Sequence, residues 1–276
     1  MAQFGPAQTV PELEQTAKQL RRHVVRMVFE AGSGHPGGSL SAADVVAALY
    51  FRVMKHDPAS PTWPDRDRFI MSKGHAVPIV YAAMAEAGYF PVSELTTLRK
   101  LNSRLQGHPS AKDLPGIEAS TGSLGQGLSI GLGMALGLRM DGRSSTVYVM
   151  LGDGEIEEGQ VWEAAMAAAH YKADNLVAIL DRNRFQLDGP TAEIMEVEPV
   201  VDKWRAFGWR VLDIDGHAMQ QVVHALEVAR ERTGRPTVIV AHTIKGKGVS
   251  YMENNNAFHG KAPTREELER ALQELA

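Results

Sequence analysis

The sequence predicts an α/β fold, a doubly wound parallel sheet with helices on both faces. Three observations carry this. Short β-rich runs at 146–151, 175–180, 209–214 and 237–241 alternate with helical stretches. The runs are largely apolar, as strands buried on both faces are. The intervening stretches, such as 158–172 and 219–232, show helical spacing and reach across a sheet. The 276 residues fit a single large domain spanning the whole chain.

Taken in order, residues 12–31 read as an amphipathic helix, with Leu13, Leu20, Val24, Val28 and Ala31 on one face. A glycine-rich loop follows at 32–38, and Ser41 is placed to cap a second helix reaching Phe51. Residues 58–64 are turn-rich, and 68–71 form a short strand leading through Lys73-Gly74-His75 into an alanine-rich helix. Ser93 is positioned to cap another short helix, and Thr264 a terminal one at 264–275. Residues 122–135 form a glycine-rich helix with Gly127, Gly131 and Ala135 on one stripe. Each helical glycine costs about 1 kcal/mol relative to alanine, so a close approach must offset it. Packing within the domain and a subunit interface account for the stripe equally well.

Composition narrows the function. A net charge of −4 gives no reason to expect nucleic acid or an anionic membrane as partner. With no cysteine, thiolate metal sites, disulfides and cysteine nucleophiles are excluded. Residues 1–15 lack the pattern of a secretory signal and no apolar run reaches membrane-spanning length, so the expectation is a cytoplasmic protein.

The most informative unit is 146–184. Gly152-Asp153-Gly154 directly follows one strand and Asp181-Arg182-Asn183 the next. A strand–helix–strand crossover makes the strands parallel and brings both segments to the carboxyl edge, where such sheets bind ligands. Asp153 and Asn183 offer only oxygen donors, which suit a hard cation such as Mg²⁺ or Ca²⁺. Gly152 and Gly154 leave room for a diphosphate, and a helix starting near Glu158 would direct amides at it. Taken alone, Gly-Asp-Gly is also an ordinary turn. Four histidines, His35, His75, His108 and His259, sit beside glycine in separate loops. No His-Glu-x-x-His pattern makes a zinc site of them.

Gly152-Asp153-Gly154-Glu155, with Asn183 thirty positions after Asp153, resembles the thiamine-diphosphate signature of transketolases. The stretch 154–164 and the four histidine loops resemble that family too. The resemblance runs from about Glu12 to Thr264 and matches only the family's first, diphosphate-binding domain. It implies Asp153, Asn183 and the Phe185 carbonyl as ligands of Mg²⁺, with Ca²⁺ or Mn²⁺ as alternatives. It implies Gly122, Ser123, Leu124, Gly152, Gly154, Lys245, His75 and His259 as cofactor contacts. Glu158 would lie near both the cofactor and a dimer contact, and the four histidines around the reactive carbon and the sugar hydroxyls. The pyrimidine-binding and C-terminal domains of the family have no counterpart in the sequence. The implied protein is one half of a split transketolase. It would pair with a second chain in an α2β2 assembly and act on sugar phosphates. Deoxyxylulose-phosphate synthase and the larger subunit of two-chain 2-oxoacid dehydrogenases share the metal signature. A non-catalytic phosphate- or nucleotide-binding module fits the carboxyl-edge site but leaves the histidine loops unexplained.

Overall fold

The structure is a computed structural model and describes residues 7–276. The elements run α1 (Val10–Ala31), α2 (Pro36–Ser41), α3 (Ala43–Ala48), β1 (Arg68–Met71), α4 (Val77–Glu86) and α5 (Gln126–Met140). They continue β2 (Val147–Gly152), α6 (Gly159–His170), β3 (Leu176–Arg182), α7 (Thr191–Ile194) and α8 (Val200–Ala206). The chain closes with β4 (Arg210–Asp215), α9 (Met219–Val228), β5 (Thr237–His242) and α10 (Arg265–Glu274).

All five strands are parallel, in the order β1-β2-β3-β5-β4. Side chains along each strand alternate between two cores. Phe69, Met71, Tyr148, Met150, Val177, Ile179 and Ile239 pack with α1, α3, α4 and α9 on one face. Ile70, Val147, Val149, Leu151, Ala178, Leu180 and Val238 pack with α5, α6 and α8 on the other. Period-two alternation with both sides apolar is why these strands read as unbroken hydrophobic runs. The expected doubly wound sheet is thus observed.

Three local expectations are corrected. Ser41 does not cap a helix; it ends α2, and its hydroxyl donates to the Gly38 carbonyl and to Asp181 Oδ2. Pro36 starts α2 five residues earlier, because its fixed φ suits the first helical position, so the loop ahead of it is shorter. The single helix expected at 41–51 is split into α2, α3 and a π-helical turn at Leu49–Val53. Ser93 lies inside a 3-10 turn, Val92–Thr97, that Pro91 precedes. Thr264, by contrast, caps α10 with a reciprocal Glu267 bond.

The glycine stripe of α5 faces the sheet. A Cβ on Gly127 would lie 2.4 Å from Ser72 Cβ, and one on Gly131 would lie 2.4 Å from Val149 Cγ2. The close approach that offsets the glycine cost is to strands within the domain. Gly133 and Gly137 point into open space.

Candidate active site at the carboxyl edge of the sheet

In the β2–β3 ladder Gly152 stands opposite Asp181, so Asp153 and Asn183 leave the sheet side by side. β3 is longer than its apolar run suggested, and Asp181 is still on the strand. Asp153 and Asn183 are both buried. Asp153 Oδ1 accepts the Gly154 N–H at 3.0 Å, and Oδ2 accepts the Arg184 N–H. Asn183 Oδ1 accepts the Phe185 N–H at 3.1 Å, so a tight turn fixes the Phe185 backbone beside both side chains.

Burial and the neighbouring Asp181 charge push the Asp153 carboxyl up to about 7. A cation placed beside this carboxyl would favour its ionised form. Asp181 is different: burial works against its charge, but Lys73 and the Ser41 and Thr243 hydroxyls outweigh it and hold its carboxyl low. Lys73 Nζ pairs with Asp181 and donates to the Gly38 carbonyl. The donors at this corner are one carboxylate and one amide oxygen, with the Phe185 backbone next to them. Such a set fits a hard cation whose remaining ligands come from phosphate and water.

A cleft of about 330 Å³ opens over this corner. Its walls include His75, Leu124, Gly152, Gly154, Glu158, Phe185, Lys245 and His259, so most expected cofactor contacts meet there. Ser123 is exposed on the adjoining loop and does not line the cleft. Gly122, with φ 151°, lies where a Cβ would be 3.2 Å from the His108 ring. A Cβ on Gly154 would sit 2.5 Å from Gln186 Cβ, whereas one on Gly152 would meet only ordinary contacts. The helix expected from near Glu158 is present. A 3-10 turn, Gly154–Glu157, runs along the cleft wall, and α6 begins at Gly159 with Glu158 as its N-cap. The first backbone amide beside Asp153 is that of this turn, not of the long helix. Glu155 is fully buried and ties two glycine loops together, accepting the Gly125 and Gly152 N–H groups at 3.0 Å each.

The four histidines, up to 224 positions apart in sequence, converge on the mouth of the cleft. The His35 ring centroid lies 5.2 Å from that of His75, 5.4 Å from His259 and 6.2 Å from His108; His75 and His259 are 5.0 Å apart. Burial pushes His35 down to about 4, with Arg99 and His108 adding to it. Burial and Lys245 push His259 down to about 3. His75 and His108 are lowered in the same direction, again first by burial. At neutral pH each ring is therefore uncharged, with one N–H donor and one acceptor nitrogen. His35 Nδ1 is buried without a partner among the described residues. A polar ligand in the cleft would satisfy it.

Lys245 lies under the cleft, donating to Asn256 Oδ1 at 2.8 Å and approaching the Gln186 carbonyl at 3.4 Å. Burial pushes its ammonium down to about 8, while Asp153 and Asp181 oppose the shift. Sequence reading missed Lys73, Asp181, Ser41 and Glu155 as site residues. Lys73 had a usable signal: β1 is parallel to β2, so the residues after Met71 reach the same sheet edge as Gly152.

Comparison with known proteins agrees with this geometry. The family described as "Transketolase, thiamine diphosphate binding domain" matches residues 13–276. The chain is 47% identical to the 6-deoxy-6-sulfo-D-fructose transketolase subunit SqwG of Clostridium sp. (strain MSTE9), covering 96% of both proteins. It is 44% identical to an apulose-4-phosphate transketolase subunit of Phocaeicola vulgatus, over 97% of this chain and 95% of that one. The transketolase of Rattus norvegicus is 43% identical over 97% of this chain but only 42% of its own length. The crystal structure of the Campylobacter jejuni transketolase superposes with a TM-score of 0.91 at 32% identity, covering 97% of this chain and 43% of that one. The chain thus spans about two fifths of the transketolases of Rattus norvegicus and Campylobacter jejuni and nearly all of the two proteins named as subunits. It belongs to the family of transketolase thiamine-diphosphate-binding domains.

Proposed function

We propose that this chain is the N-terminal, diphosphate-binding subunit of a split transketolase, moving a two-carbon ketol unit from a ketose phosphate to an aldose acceptor. The observation that carries the proposal is the convergence of four neutral histidines on one cleft whose floor is Asp153, Asn183 and Lys245. A phosphate- or nucleotide-binding module would need the floor but not the histidines.

Each group has a role. Asp153, Asn183 and the Phe185 carbonyl would hold Mg²⁺, or Ca²⁺ or Mn²⁺ in its place, against the diphosphate. Lys245 supplies positive charge to the same anion, and Gly154 lets Gln186 pack closely beside it. Lys73 neutralises Asp181 so that only one carboxylate of the pair faces the cation. When bound, thiamine diphosphate supplies a thiazolium ring that serves as electron sink for breaking the bond beside a ketone. His35, His75, His108 and His259 donate and accept hydrogen bonds at the sugar hydroxyls, and the uncharged rings can pass a proton between substrate oxygens. Glu158 is exposed at the rim, and we assign it to contact with the cofactor and with another chain.

We assign the part that would bind the pyrimidine ring to a separate chain in an α2β2 assembly. The near-complete coverage of two proteins named as transketolase subunits supports this division. Cytoplasmic location fits the expected sugar-phosphate substrates, and no helix among the described residues is long and apolar enough to cross a membrane. The test is to purify this chain and assay it with thiamine diphosphate, Mg²⁺ and a ketose phosphate donor. Metal-dependent cofactor binding without ketol transfer is expected. Robust transfer by the isolated chain would overturn the split arrangement, and absence of any metal-dependent binding would overturn the cofactor assignment.

A further inference from the structure

A buried polar chain runs from the α1–α3 core to the loop that carries Lys245. Arg21 grips Asp44 with two bonds, Nη1 to Oδ1 at 3.1 Å and Nη2 to Oδ2 at 2.5 Å. His217 Nδ1 lies 2.7 Å from the same Oδ2. His217 Nε2 accepts the Ile244 backbone N–H at 2.8 Å. The tautomer follows from the partners. An amide N–H can only donate, so Nε2 carries no proton; a carboxylate can only accept, so Nδ1 carries it.

Resting on the transketolase reading above, we propose that His217 is a positioning residue for the cofactor's diphosphate, holding Lys245 through the Ile244 amide. The amides on both sides of Lys245 are tied to one rigid unit. Ile244 N–H goes to His217, which Asp44 of α3 holds, and Gly246 N–H goes to the Gly37 carbonyl of α2 at 3.0 Å. The approach is built into the neighbouring glycine. A Cβ on Gly216 would lie 2.6 Å from Thr243 Cγ2 and 3.0 Å from the His242 carbonyl, so the His217 loop packs directly on the exit of β5. Lys245 makes no backbone bond to the sheet itself; its carbonyl accepts the Asn254 N–H from the following loop. A displaced Ile244 would therefore move the ammonium, and the ammonium sits in a buried site where a small displacement changes its contact with an anion.

A purely structural role competes with this: His217 could serve only to satisfy Asp44. Two conservative variants separate the roles. In His217→Gln the amide reaches the Nε2 position, so its oxygen can accept the Ile244 N–H while the Asp44 bond is lost. In His217→Asn the amide reaches the Nδ1 position, keeping the Asp44 bond and losing Ile244. Backbone hydrogen exchange over residues 243–248 of the free full-length chain and titration with thiamine diphosphate plus Mg²⁺ provide two readouts. Positioning requires faster exchange and at least about tenfold weaker binding in His217→Asn, with His217→Gln within about threefold of the wild type. The reverse order, or wild-type exchange in His217→Asn, overturns the proposal. Exchange is read without cofactor, so a wild-type chain that fails to bind thiamine diphosphate sinks the functional reading while the loop's anchoring is still decided.

Discussion

Lys245 Nζ lies 3.0 Å from His259 Nδ1, which fixes the imidazole as acceptor on that side and sets a cation beside a ring held neutral by burial. Burial of the same ammonium makes the diphosphate site sensitive to alkali. The Lys245 ammonium is lost as pH rises through about 8. Affinity for thiamine diphosphate, measured by titration at saturating Mg²⁺, is expected to fall above that pH. A charge-assisted bond of about 1.5–3 kcal/mol implies a roughly 10- to 150-fold loss in Lys245→Gln, together with loss of the alkaline limb. An unchanged limb in that variant would assign the titration to another group.

The histidine cluster predicts the acid side of stability. His35 and His259 take up protons only near 4 and 3 in the folded chain, against 6.5 for the ordinary imidazole. Between those values the unfolded chain binds more protons, so stability present at neutral pH is lost as pH falls below about 6.5. The melting temperature of the wild type is expected to drop over that window. His259→Asn should flatten the drop; identical slopes in the two proteins would argue against burial as the cause.

Asp153 predicts how the metal binds. Its carboxyl titrates at about 7, above the ordinary 3.8, so its stabilising contribution holds at acid pH and is lost as pH rises through about 7. A divalent cation binds the ionised form and reverses this. Mg²⁺ binding is expected to strengthen as pH rises from about 6 to about 8 and to release a fraction of a proton near pH ~6.5. Calorimetry in two buffers of different ionisation enthalpy measures the release. Asp153→Ala should abolish the metal dependence of cofactor binding, and an unaltered affinity would count against the assignment.

The glycines of α5 divide by the face they occupy. Gly131→Ala drives a methyl into Val149 and should destabilise by about 1–3 kcal/mol, net of the helix-propensity gain. Gly133→Ala and Gly137→Ala enter open space and should each stabilise by about 0.5–1 kcal/mol. Urea denaturation of the three variants decides it; equal effects would mean the helix does not pack on β2 as described.

Breaking the Lys73–Asp181 pair leaves a buried carboxylate uncompensated. Lys73→Met is expected to lose about 3–5 kcal/mol in the same urea assay. A loss below about 1 kcal/mol would show that the Ser41 and Thr243 hydroxyls suffice for Asp181.

Much of this protein is legible in local pattern. The five strands fall within two residues of the runs that mark them; in β2, β3 and β5 this is because a strand buried on both faces needs a hydrophobic segment, whereas β4 is a half-exposed edge strand. Asp153 and Asn183 are legible for a related reason: each follows such a run, and parallel strands send both to one edge. The Ser41 and Ser93 caps were misplaced because a proline nearby, Pro36 or Pro91, sets the backbone earlier than a hydroxyl can.

Tertiary structure alone decided the rest. Nothing local says that β5 inserts between β3 and β4, yet that insertion carries Thr243 to Asp181 and Lys245 to the cleft. Nothing local pairs Lys73 with Asp181, 108 positions away, or His217 with Asp44, 173 positions away. Sequence pattern records which face of an element is apolar, since burial is a property of each residue with its near neighbours. The partner of a buried charge depends on which distant segments the sheet brings to one edge, and in this chain such pairs stand behind the floor of the cleft.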